Sequence, residues 1–253
     1  MWRILGVAIA GASVLIATPT FADSSFTGNV ALTSDYVFRG ISQTQGDPAI
    51  QGGFDFTTNV GGLPVYAGAW ASNLDFGSRS AVHVPMELDI YGGLKPTIGP
   101  VSADFGVIGY LYPNADDPSS AGLSGDWNYW ELKAAGSISP ATGLTLGAAI
   151  YYSPEFPLKG GNALYTELNG SWAINDTFAV SGAVGHQQVD AAGYFVTPTS
   201  TTDNYTTWNV GATASAHGFS LDLRYWDSDE DITNFAGEVV SDQRVVLTFR
   251  RAL

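Results

Sequence analysis

Apolar and polar side chains alternate along most of this chain, and the charges inside the alternating segments fall on one phase, opposite the apolar one. Between Pro85 and Lys95, Met86, Leu88, Ile90 and Leu94 hold the even positions, and Glu87, Asp89 and Lys95 the odd ones. The same division sets Trp130, Leu132 and Ile138 against Glu131 and Lys133. It sets Phe219, Leu221, Leu223 and Tyr225 against Asp222 and Arg224, and Val245, Leu247 and Phe249 against Arg244 and Arg250. Successive side chains of a strand leave opposite faces, so such a segment offers one face to lipid and the other to water. A soluble sandwich alternates as well, and the placement of the aromatic residues is what separates the two readings.

Large aromatics cluster at segment ends. Phe56, Tyr66, Trp172, Phe178, Phe219 and Phe249 lie beside short turns, and Tyr36, Phe38, Phe76, Trp130, Tyr152 and Tyr225 beside longer loops. Two such girdles suit the two interfaces of a bilayer, where an amphipathic ring gains from both solvents. Turn signals divide the chain into about twelve strands, an even number as single-chain bacterial barrels have. They are expected near residues 28–38, 49–59, 64–76, 84–96, 101–112, 127–138, 143–153, 163–174, 177–187, 204–215, 218–227 and 241–251. Connections alternate between tight ones (Val60 to Leu63, Thr97 to Pro100, Ser139 to Thr142, Asn175 to Asp176, Ala216 to His217) and longer polar ones. The predicted fold is all-β: an antiparallel transmembrane β-barrel of about twelve strands in one domain, residues 23–253, with short turns periplasmic and long loops external.

The first 22 residues alter that picture only at its start. Arg3, an apolar run from Ile4 to Ile16 and small residues leading to Ala22 read as a cleaved secretory signal peptide. The run is well short of the roughly 20 apolar residues of a spanning helix. Its removal takes one of 10 basic residues and none of 24 acidic ones, so the mature balance is strongly negative and nucleic acid is excluded as a partner. Charged residues make up only 13% of the chain, about half the usual share of a soluble domain, which favours a barrel in lipid. With no cysteine there is neither a disulfide nor a thiolate metal site. The 30 glycines suit a strongly curved sheet.

The inward phase carries Asp35, Asp55, Asp75, Glu87, Asp89, Asp104, Glu131, Glu167 and Asp222 against Lys95, Lys133, Arg224, Arg244 and Arg250. In a wet lumen that acidic excess favours cations; in a dry one the same charges must pair and brace the barrel. Asp35 and Arg39 both fall on the inward phase at the outer end of the first strand, where they either pair structurally or line an entrance. On the outward phase, Leu221→Arg is expected to prevent stable insertion, at the midplane cost of about 2 to 4 kcal/mol.

Four stretches, NVALTSDYVFRGISQT at Asn29 to Thr44, AIQGGFDF at Ala49 to Phe56, YAGAWASNLDF at Tyr66 to Phe76 and ELDIYGG at Glu87 to Gly93, resemble the TorF-like family of outer-membrane porins. The motifs cover roughly the first third of the mature chain; the rest agrees in strand rhythm and length. The resemblance implies a proteobacterial outer-membrane barrel with a loosely characterised transport function, and it offers no established catalytic residues to carry over.

Two constellations carry other chemistry in principle. Asp227, Asp229, Asp231 and Glu238 fall at calcium-loop positions 1, 3, 5 and 12, but Ile232 stands where the sharp turn demands glycine and the flanks are strands, so a solvated acidic loop is expected. His83, His186 and His217 have no triad-like setting in sequence. The resulting expectation is a non-enzymatic porin without cofactor in the bacterial outer membrane. Its partners are lipid, lipopolysaccharide and small solutes or cations, with a homo-oligomer left open. The alternatives are a closed barrel acting through the loops around Asp116, Tyr194 and Asp229, or a lipid-modifying or proteolytic barrel.

Overall fold

The computed structural model describes residues 24–77 and 83–253; the signal-peptide expectation lies outside them. Twelve long antiparallel strands form the wall: β1 Ser25–Thr33, β2 Ala49–Val60, β3 Leu63–Asn73, β4 Met86–Leu94, β5 Val101–Leu111, β6 Tyr129–Ala141, β7 Leu144–Phe156, β8 Gly161–Ala173, β9 Phe178–Val189, β10 Asn204–Ala216, β11 Phe219–Ser228 and β12 Arg244–Ala252. Each pairs with its sequence neighbours, and β1 closes on β12 from Asn29↔Ala252 to Thr33↔Thr248. A two-residue piece, Thr97–Ile98, folds back on the start of β5. Twelve strands spaced about 4.8 Å apart and tilted about 40° give a perimeter near 75 Å and a backbone diameter of about 24 Å.

The outward phase is apolar. Leu32, Ile50, Phe54, Ile90, Val107, Leu132, Leu146, Ile150, Leu168, Val184, Val210, Leu223 and Leu247 are all exposed, an arrangement that water would penalise and lipid does not. Phe56, Trp172, Phe178, Phe219 and Phe249 ring the rim of tight turns, with Phe219 stacked on Phe249, while Trp130 and Tyr152 mark the other rim. Among the described residues charges reach the outward phase only at strand ends, where Asp227 accepts from the Tyr225 hydroxyl and Arg251 lies over the Phe219 ring and donates to the His217 carbonyl. Arg251 thereby carries its charge to the edge of the apolar band.

The girdle assignment needs four corrections. Tyr66 points inward, its hydroxyl donating to Asp104 at 2.7 Å. Tyr36, Phe38 and Phe76 leave the wall altogether and pack in clusters that include Trp70, Trp127 and Tyr112. Glycine on the inward phase makes room for such residues: a methyl at Gly68 would lie 2.4 Å from the Tyr91 ring, and one at Gly185 would lie 2.0 Å from the Tyr165 hydroxyl. Curvature was the expected role of glycine; here close approach inside the lumen demands it.

Boundaries also differ from the expected ones. The link between β7 and β8, Pro157 to Gly160, is short although it sits on the loop rim. β1 ends at Thr33 instead of residue 38. Ser34 still bonds to Leu247 of β12, after which the chain turns away from the wall. Asp75 lies beyond the end of β3, its amide donating to the Gln43 carbonyl, so it belongs to a loop and not to the wall.

Candidate functional site

The segment between β1 and β2 folds into the barrel as a hairpin. Val37 and Phe38 pair with Ser42 and Ile41 around Arg39 and Gly40, whose φ values of 48° and 83° suit a tight two-residue turn that returns the chain on itself. Glycine is required at the tip, because a Cβ on Gly40 would meet Thr207 Oγ1 at 2.1 Å. From Thr33 to Arg39 the chain reaches about 20 Å at most, enough to cross the lumen.

The tip does cross it. In a closed ring of twelve strands the wall opposite β1 is built by β6 to β9, and Arg39 contacts all four of those strands. Its guanidinium donates to both carboxylate oxygens of Glu131 on β6, at 2.8 and 2.7 Å, and to Gln187 Oε1 on β9 at 3.0 Å. It stands 5.0 Å from the Tyr151 ring centroid on β7 and 4.3 Å from that of Tyr165 on β8. Tyr110 donates to Glu131 from β5 at 3.1 Å. Arg39 is 5% exposed and Glu131 1%, so the pair is screened from solvent, with geometry of the strong bidentate type.

The stem is fastened at the loop rim. Asp35 accepts from Arg244 of β12 at 2.9 Å and from the Ser42 and Thr44 hydroxyls at 2.6 and 3.0 Å. Tyr36 donates to Glu87 of β4 at 2.6 Å. Val37 packs between Trp226 and Val246, and Ile41 against the cluster of Phe195, Tyr205 and Ile232. Over this, Phe235 meets Trp127 edge to face, joining two loops across the mouth. A hairpin with side chains on both faces is about 10 Å thick, and side chains already narrow the 24 Å ring to about half. The hairpin therefore stands in the middle of the passage.

The remaining charges line the wall below and beside it. Lys133 donates to Asp104 at 2.8 Å, and Lys95 stands over the Tyr66 ring. Asp55 accepts from Tyr91 at 2.7 Å, and Arg250 lies in its field. Glu167 accepts from Tyr165 and Asn169. Arg224 binds Asp222, Asn209 and Ser181, and Thr213 completes Asp222. Asp89 has one carboxylate oxygen buried without a hydrogen-bond partner. With Asp75 in a loop and Arg39 added, the lumen holds Asp35, Asp55, Glu87, Asp89, Asp104, Glu131, Glu167 and Asp222 against Arg39, Lys95, Lys133, Arg224, Arg244 and Arg250. Most of them are partnered. Sequence reasoning missed the inserted hairpin and its seat of tyrosines and Gln187.

The other constellations come apart in space. His186 faces outward on β9 beside Thr206, His83 lies on the loop rim, its backbone bonded to Asp116, and His217 sits in a tight turn at the opposite rim. Asp227 and Asp229 spend their carboxylates on Tyr225, Ser228 and the Thr206 amide. Among the described residues no cluster of His, Asp or Glu is placed to hold a metal ion.

A closed, lipid-facing barrel with a charged lumen defines the porin-like class of membrane proteins. Over residues 17–253 the chain matches the model of a family described as bacterial protein of unknown function (Gcw_chp), and it belongs to that family. No curated protein matches it in sequence. Among solved structures it is similar to an outer-membrane channel from Pseudomonas putida F1, with 12% identity, 94% of this chain and 100% of that one covered, and a TM-score of 0.55. It is also similar to the NanC porin (8% identity, 90% and 97% covered, TM-score 0.53) and the KdgM porin (6%, 90% and 98%, 0.52). At such identities the likeness is one of fold.

Proposed function

We propose that this protein is an outer-membrane channel through which small hydrophilic solutes pass by diffusion, with cations favoured. The observation that carries the reading is the division of the wall: a continuous apolar band outside and nearly every strand charge inside, the arrangement of a barrel whose interior meets water and polar solutes. The resemblance of the first third of the chain to TorF-like porins supports the same reading, as do the channels whose fold it shares. Eight acids against six bases leave an excess of two carboxylates, smaller than the nine against five expected from sequence alone. The lumen should therefore prefer cations modestly.

In this reading tight turns and both termini face the periplasm, the long loops face lipopolysaccharide, and transport needs neither cofactor nor catalysis. The test is single-channel recording of the refolded mature chain in a planar bilayer under a salt gradient. Discrete steps with a cation-selective reversal potential are the expected result. Steps with anion preference would overturn the charge assignment.

The inserted hairpin also favours a second reading, a barrel permanently closed and acting through the loops around Asp116, Tyr194 and Asp229. Silence from verified, inserted protein, with the hairpin and without it, would select that reading.

A further inference from the structure

The seat that receives Arg39 is complete without the hairpin. Glu131, Gln187, Tyr151, Tyr165 and Tyr110 come from five wall strands and converge on one point of the lumen. Together they provide what a guanidinium group asks for: a carboxylate presenting two oxygens side by side, an amide oxygen and two aromatic faces. Asp89 on β4 lies in the field of Glu131, and its Oδ1 is buried with no hydrogen-bond partner.

Resting on the channel reading, we propose that this seat is a binding site for solutes that carry a guanidinium group, and that Arg39 is a tethered occupant holding the channel shut. The hairpin touches the far wall through its tip, and the tip's charge-bearing contact is the Arg39 guanidinium. Withdrawal would leave Glu131 and Gln187 to water. A free guanidinium cation replaces the bidentate pair, the amide bond and both ring contacts, and so binds the withdrawn state alone. Such a ligand shifts the equilibrium toward the open channel by its differential affinity for that state. Neutral solutes of the same shape lack the charge and gain nothing at Glu131.

The experiment is planar-bilayer recording of the refolded mature chain with methylguanidinium as probe and urea as the neutral control. In the wild type, millimolar methylguanidinium is expected to raise the fraction of time open, and urea is not. Arg39→Ala should open without the probe, which then adds no open time and blocks its current only in part while it dwells in the seat, as in the opened wild type. Arg39→Ala/Glu131→Gln should lose that block by about tenfold or more. A wild type indifferent to methylguanidinium, or equal block of the single and double variants, overturns the proposal.

A third variant, with residues 36–43 replaced by a glycine-serine linker, separates the two levels of argument and does not depend on Arg39→Ala folding. If it conducts and the probe blocks it, the seat stands. If it conducts and the probe leaves the current unchanged, the seat falls while the channel reading survives. If verified folded protein without the hairpin is silent, the channel reading falls and this inference with it.

Discussion

Depth in the bilayer can be read from β11 and tested there. Its outward residues run Phe219, Leu221, Leu223, Tyr225, with Phe219 in the turn-side girdle and Asp227 at the loop rim. Eight residues at about 3.4 Å, tilted about 40°, project to roughly 21 Å, close to the apolar band of about 25 Å that such barrels show. Leu223, 54% exposed and paired with Leu247 and Ala212, is therefore central, about 10 Å from either edge. Leu221 lies only about 5 Å from the girdle on the same scale.

Leu223→Arg is accordingly expected to cost about 2 to 4 kcal/mol, the midplane figure, whereas Leu221→Arg is expected to cost about 1 kcal/mol because its long side chain can carry the charge to the interface. This corrects the sequence-based expectation, which gave Leu221 the midplane cost. Equilibrium urea unfolding in lipid vesicles measures both, as shifts of midpoint at constant slope. Equal costs for the two variants, or none for Leu223→Arg, would refute the register and with it the depth assignment.

Other outcomes follow from the lumen. Gly185→Val should force Tyr165 from its place and destabilise the barrel by about 1 to 3 kcal/mol, seen as a lowered unfolding midpoint. Arg244→Ala removes the cation that faces Asp35 and should loosen the hairpin stem by about 1 to 3 kcal/mol, read as faster proteolytic cleavage between residues 34 and 48 while the wall stays resistant. Asp104→Asn leaves Lys133 unopposed and takes one negative charge from the lumen, so the reversal potential should move toward anions; an unchanged value would place Asp104 outside the conduction path.

The wall was legible in the sequence because a charge in lipid is costly, and that cost forces one phase to be apolar in strand after strand. Tyrosine obeys no such rule. Tyr66 satisfies either face, ring against lipid or hydroxyl toward Asp104, so alternation assigned it to the wrong side. The stretch Ser34 to Phe38 alternates like the strand it follows, and nothing in its period says that the chain departs from the wall after Ser34. A signal was present in Arg39-Gly40 between Val37-Phe38 and Ile41-Ser42, a two-residue hairpin turn. Its inward direction was not, since that is set by Glu131 and Gln187, which lie 92 and 148 residues further on. Asp35 and Arg39, for which the sequence allowed a structural pair or an entrance lining, form two separate pairs, Asp35 with Arg244 on the neighbouring strand β12 and Arg39 with Glu131 across the lumen.

The order of assembly is implicit in where Arg39 ends up. Its receptacle is made by strands that follow it in the chain, and β1 cannot find β12 until the last residues are available. Strands β5 to β9 must therefore be in place before the hairpin tip has anywhere to dock. On that order a newly made molecule is expected to pass through a stage in which its bore is clear, with the hairpin entering it late. Timed proteolysis during refolding should find residues 34–48 still cleavable after the wall has become resistant, and simultaneous protection of both would contradict that sequence of events.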